Sequence, residues 1–140
     1  MRYIYPAILS ADEDGRIMVS FPDIPEALTD GADEMEALRE GRDALAAALS
    51  GYVHEHRDIP RPSAIETGRY ISVPPLVAAK ISLYQAMRRR NVDCPELARR
   101  MEISEAAARR LVDPDQVSGI ERVQAALMAL DVELVVEDAA

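Results

Sequence analysis

Cysteine is nearly absent. The single thiol, Cys94, excludes an internal disulfide framework, and with only 2 histidines in the chain no Cys/His group has zinc spacing. Cys94 reads as a small residue at a helix start, where a lowered thiol pKa is the alternative. His54-Glu55-His56 lies near a helix end, but residues two apart on a helix point in different directions, so neither a metal site nor any other cofactor is expected. No apolar run approaches the length of a membrane span. Met1-Arg2 leads straight into an alternating segment with Pro6 inside it, which does not read as a signal peptide. The expectation is a soluble, cytoplasmic protein without a membrane partner.

Net positive charge is also missing, and where it is missing matters. The chain carries −9, but residues 1–74 hold 7 Arg against 14 Asp+Glu, a net of −7, whereas residues 75–140 hold 9 Lys+Arg against 11 acids, a net of −2. Within residues 80–112 the balance reverses, with 8 basic and 4 acidic residues. The acidic half suits a basic partner or a solvated surface, and the basic stretch is a separate feature.

That basic stretch contains a helix-turn-helix pattern. Asp93 stands at an N-cap position with Glu96 three residues later, the spacing of a capping box. Leu97, Ala98 and Met101 share one face of a first short helix. Glu102 stands at the turn, where such units often place Gly, and Ile103 follows it. Ser104 is a second N-cap, and Ala108 and Leu111 return to the buried side. Small Ala98 and Ala108 allow a close helix crossing. Ser104, Glu105, Ala106, Arg109 and Arg110 are then left on an exposed second helix whose size suits a DNA major groove. Arg99 and Arg100 are candidate phosphate contacts, as is the run Arg88-Arg89-Arg90. The same run can instead complement the negative end of its own helix dipole. The bland alternative for the whole unit is a helical hairpin inside a larger bundle.

In chain order, residues 3–11 read as a first strand, and Pro6 places it at a sheet edge or an irregularity. Asp14-Gly15 is a hairpin turn leading to a second strand, Arg16 to Ser20. A short third strand over Ala27 to Thr29 precedes a long helix that starts at Asp33, with Glu36 again three residues on. Its buried face is expected at Met35, Leu38, Leu45, Leu49, Tyr52 and Val53, and Gly41 allows a close approach to the sheet. A last strand covers Tyr70 to Val73. Pro74-Pro75 is the expected boundary between domains 1–74 and 75–140. Beyond it lie a helix with an apolar stripe (Leu76, Val77, Ile81, Leu83, Tyr84, Met87), the helix-turn-helix, and a further helix capped by Ser118 with Glu121. A strand over Val132 to Glu137 ends the chain and is free to join its own subunit or pair with a symmetry mate. The fold class is α+β: a small antiparallel sheet with one long helix, then a helical domain ending in a strand.

The order of these parts resembles the HicB family of antitoxins, in the form with a C-terminal helix-turn-helix. The resemblance rests on Tyr3 to Leu9, on the segment from Asp14 to Gly31 (its most specific part), on the helix from Asp33 to Tyr52, and on the Ile59 to Ser63 loop. Ile71 to Pro74, Leu76 to Lys80 and Glu96 to Arg100 complete it, with the final strand. It implies a reduced ribonuclease-H-like first domain that binds and blocks a small, basic, mRNA-cleaving HicA-type toxin. It also implies a second domain that dimerises or tetramerises and represses the operon by binding operator DNA, associating the protein with the nucleoid. Candidate toxin contacts are the turn residues Asp12, Glu13 and Asp14 and the loop residues Phe21, Asp23 and Glu26, which read equally well as ordinary turns shaping the sheet. Catalysis is not expected, because ribonuclease-H chemistry needs carboxylates converging on divalent metals, and Asp12, Glu13 and Asp14 splay from one turn while Asp23 and Asp30 lie in loops. The alternatives are a ligand-sensing helix-turn-helix regulator without a toxin partner and a structural hub with a degenerate helix-turn-helix.

Overall fold

A computed structural model describes residues 1–139 and divides the chain into two compact units, Met1–Pro74 and a second from Pro75 onward. The first contains β1 (Ile4–Ala11), β2 (Ile17–Ser20), β3 (Leu28–Gly31), α1 (Glu34–His54) and β4 (Arg69–Ser72). The second is built from α2 (Pro75–Arg90), α3 (Cys94–Met101), α4 (Glu105–Val112) and α5 (Ile120–Met128). The class is α+β. No helix among the described residues is long and apolar enough to cross a membrane.

The four strands form one antiparallel sheet in the order β3-β2-β1-β4. β1 is therefore internal, so of the two places Pro6 suits, an edge or an irregularity, it takes the second. Proline is accommodated because β1 divides its pairing. Ile4 to Ala7 face β4, and β2 begins to pair only at Ile8. Pro6 thus falls where one side of the strand has no ladder to supply.

α1 crosses one face of this sheet. Asp33 caps it, its carboxylate accepting from the Glu36 amide at 2.8 Å. The Glu36 side chain reaches back one residue further than a capping box requires, to the Ala32 amide at 2.8 Å. The buried row is Ala37, Gly41, Leu45 and Leu49, spaced by four, with Tyr52 and Val53 beyond. Met35, expected on that face, is exposed, because it stands two residues, about half a turn, from Ala37. A Cβ at Gly41 would lie 3.1 Å from Val19 Cγ1 and 3.2 Å from Ile71 Cδ1, so its bare backbone sets how near the helix comes to the sheet. Gly31 is tighter still, since a Cβ there would fall 2.3 Å from the Ala37 amide nitrogen.

In the second unit Leu83, Leu97, Leu111, Val123, Leu127 and Leu130 build the core. One fully buried polar side chain stands among them. Lys80 Nζ donates to the carbonyl oxygens of Arg110 (2.8 Å) and Asp113 (3.0 Å), to that of Gln116, and to Ser118 Oγ (2.9 Å). This corrects the capping expected for α5: the Ser118 hydroxyl serves Lys80, and α5 starts after Gly119 without a side-chain cap. Ile120 is exposed, and the buried stripe begins at Val123. The terminal segment does not join its own subunit as a strand. Residues 132–139 have no regular secondary structure, and Val135 and Val136 are exposed. A lone strand beside an all-helical unit has no ladder to complete its backbone hydrogen bonds.

Candidate functional site

α3 and α4 form two eight-residue helices joined by a three-residue turn. The Asp93 carboxylate accepts from the Glu96 amide at 2.9 Å, and Ser104 Oγ accepts from the Ala107 amide at 3.1 Å, so both helices start on a side-chain cap. Glu102 adopts the left-handed conformation (φ 56°, ψ 45°), the strained choice for a residue with a Cβ. Its amide and that of Ile103 close α3 onto Arg99 and Ala98. Leu97, Ala98, Ala108 and Leu111 are buried, which leaves Glu105, Ala106, Arg109 and Arg110 on the exposed side of α4.

The basic residues on this unit differ in what holds them. Glu96 binds both arginines of α3: Arg99 through two nitrogens (2.8 and 2.6 Å) and Arg100 through Nε at 2.9 Å. These hydrogen bonds lower the Glu96 carboxyl to about 2. Arg109 pairs with Glu105 one turn back along α4. Arg88 lies over the Tyr84 ring, and Arg90 stands 3.7 Å from Asp131. Among the described residues, the side chains of Arg89 and Arg110 hold no ion pair. Cys94 sits at the start of α3 near Arg109, but burial outweighs that cation and pushes the thiol up, against the lowered pKa its helix position permits.

The acidic candidates of the first unit are mostly engaged internally. Asp12 Oδ1 accepts from the amides of Asp14 (2.8 Å) and Arg16 (2.9 Å), which makes it the organiser of the β1–β2 turn. Asp23 accepts from the Ser63 amide and hydroxyl, tying the loop after β2 to the loop before β4. Glu26 accepts from the Tyr52 hydroxyl at 2.6 Å, which lowers its pKa, and lies 3.6 Å from Arg57. Arg57 in turn stacks 4.0 Å above the Tyr52 ring. Glu13 and Asp14 project into solvent. Phe21, proposed as a contact, is buried, so its ring belongs to the core and not to the surface. Asp30 is held by Arg16 at 3.0 Å. Asp12, Asp23, Glu26 and Asp30 therefore each have a separate partner.

Two features went unread in the sequence. The sequence gives Lys80 no role beyond α2, although a lysine three residues from Val77 and four from Tyr84 interrupts an apolar stripe, and that interruption is the available signal. The second is the exposed face of the sheet, which carries Ile8, Met18, Leu28 and Tyr70.

A sequence model for the HicB-like antitoxin of bacterial toxin–antitoxin systems matches residues 4–82, more than half of the chain. The chain belongs to the HicB-like antitoxin family. It is 38% identical over 131 residues to Antitoxin HicB of Escherichia coli K12, covering 93% of this chain and 95% of that protein. It is 37% identical over 126 residues to Antitoxin HicB 2 of Photorhabdus laumondii, covering 90% and 89%. Against Antitoxin HicB of Pseudomonas fluorescens it is 37% identical over 121 residues, covering 85% and 83%. The role is that of an antitoxin in a toxin–antitoxin system. The family match spans the sheet unit and the first half of α2, and it ends before α3 begins.

Proposed function

We propose that this HicB-like chain neutralises a small, basic, mRNA-cleaving HicA-type toxin through its first unit. Through its second it represses its own operon, as a dimer or tetramer on operator DNA. What supports the DNA reading is the capped α3–turn–α4 pair, two short helices with two arginines on the exposed second one, which we read as a helix-turn-helix. Ser104, Glu105, Ala106, Arg109 and Arg110 meet the major groove. Arg109, held by Glu105, reads a guanine through two hydrogen bonds, and Arg110, without an internal partner, contacts phosphate. Arg99, Arg100 and the Arg88 to Arg90 run add phosphate contacts that set affinity and its salt dependence. The toxin reading rests on family membership and on the −7 charge of residues 1–74, which attracts a cationic protein and speeds the encounter.

Fluorescence anisotropy with the chain's own promoter fragment tests the DNA half. Arg109→Ala relaxes preference at one operator position by about 1–3 kcal/mol. Arg110→Ala weakens all sequences alike and lowers the salt slope by about 1. Unchanged selectivity in Arg109→Ala refutes the assignment of that residue, and no salt-dependent binding by the unaltered chain refutes operator recognition.

A further inference from the structure

The sheet of the first unit is covered by α1 on one side only. Its register defines the other side: Ile8, Ser20 and Leu28 lie in line across β1, β2 and β3, Met18 faces Asp30, and Pro6 faces Tyr70. An antiparallel sheet with one solvated face ordinarily alternates apolar inward with polar outward. Here four outward positions are large, apolar and open, with Leu28 at 59%, Tyr70 at 52%, Ile8 at 44% and Met18 at 37% exposure, beside the polar Ser10, Ser20 and Asp30. The four apolar residues come from all four strands, so they form a patch and not a scatter of single residues. Acidic groups stand at one end of the patch: exposed Glu13 and Asp14 on the β1–β2 turn.

We infer that this open sheet face is the docking surface for a cationic protein, with Ile8, Met18, Leu28 and Tyr70 as its apolar centre and the β1–β2 turn carboxylates at its rim. The inference rests on the toxin-binding reading above and names the surface that reading needs. Charge selects the occupant. A second copy would bring one unit of net −7 against another, whereas a basic protein finds apolar contact at the centre and opposite charge beside it. The loop and turn carboxylates first considered as contacts are for the most part occupied within the chain. They shape the rim of the interface and do not supply its centre.

The test uses the full chain and a purified small basic HicA-type toxin, with affinity measured by calorimetry. Leu28→Arg and Ile8→Arg place like charge at the centre of the surface and weaken binding at least tenfold. Met35→Arg, on exposed α1 surface away from the sheet face, stays within twofold of the unaltered chain. Leu28→Ser, a milder change that keeps the strand, weakens binding at least threefold and guards against a folding defect in the arginine variants. Binding within twofold by all three sheet variants overturns the inference while leaving toxin binding in place. Sheet variants that convert an oligomer to a monomer without loss of toxin affinity overturn it in favour of a second copy. Absence of binding by the unaltered chain overturns both the inference and the toxin reading.

Discussion

The two units solve the problem of polar residues in opposite ways. In the sheet unit, carboxylates are spent at the surface on turns and loops: Asp12 on its own hairpin, Asp23 on Ser63, Glu26 on Tyr52. The core beneath them is apolar and is brought close by glycine. In the helical unit the decisive polar group is at the centre. Lys80 is fully buried and draws together the end of α4, the loop after it and the approach to α5. Helices as short as α3 and α4 are marginal alone, because nucleation is unfavourable and eight residues give few bonds in return. A cation at the end of α4 satisfies orphan carbonyls and opposes the helix dipole together. The first unit is thus shaped by close backbone packing and the second by one charge. Each should fail through its own device.

Lys80→Met tests the larger effect. It keeps an unbranched chain in the cavity but leaves the carbonyls of Arg110, Asp113 and Gln116 without their donor, a loss of about 3 kcal/mol or more. Amide hydrogen exchange resolves the units separately. The expected result is loss of protection in α4 and α5 with β1, β2 and α1 unchanged. A uniform loss across both units would break the contrast. The counterpart in the first unit is Gly31→Ala. The added methyl meets the Ala37 backbone, which cannot turn aside as a side chain can, and costs about 2 kcal/mol. Protection should fall in β3 and α1 and stay intact in α2 to α5.

Helix starts at Asp33, Asp93 and Ser104 could be read because a cap is a local device, a short side chain accepting from an amide two or three residues on. Gly41 was readable for a related reason, since a glycine inside an amphipathic helix needs a close neighbour to justify it. Pro6 signalled an edge or an irregularity without saying which, because the place of β1 in the sheet depends on where β2 and β4 stop pairing, which is a tertiary fact. Ser118 misled for a related reason: its spacing to Glu121 fits a capping box, but Lys80, 38 residues earlier, takes its hydroxyl. The final segment is rich in β-branched valine, as a strand often is, yet strand character requires a neighbour that no local pattern can reveal. At the candidate site, exposure of Arg109 and Arg110 followed from helical periodicity. The burial of Phe21 did not follow from anything local, since it sits between two prolines and the end of β2.

The smallest expected effect concerns Glu96, which sharpens the contrast because it is a surface carboxylate of the helical unit used in the manner of the sheet unit. It gathers Arg99 and Arg100, whose hydrogen bonds hold its pKa at about 2 against an ordinary 4.5. A carboxyl depressed on folding contributes stability that is complete above its unfolded pKa and is lost as pH falls through the folded one. The cluster is therefore whole above about pH 4.5, and its contribution disappears toward pH 2. Carboxyl resonances followed by NMR should place the Glu96 midpoint near 2, and replacing both arginines by alanine should return it toward 4.5. A midpoint near 4.5 in the unaltered chain would mean that the arginines are not held in solution. They would then be free for phosphate from the outset. If they are held, Glu96→Gln releases two cations on the α3 surface and removes one negative charge beside them. Promoter affinity at low salt should then rise severalfold, with a steeper salt dependence, while hydrogen exchange in the sheet unit stays as it was.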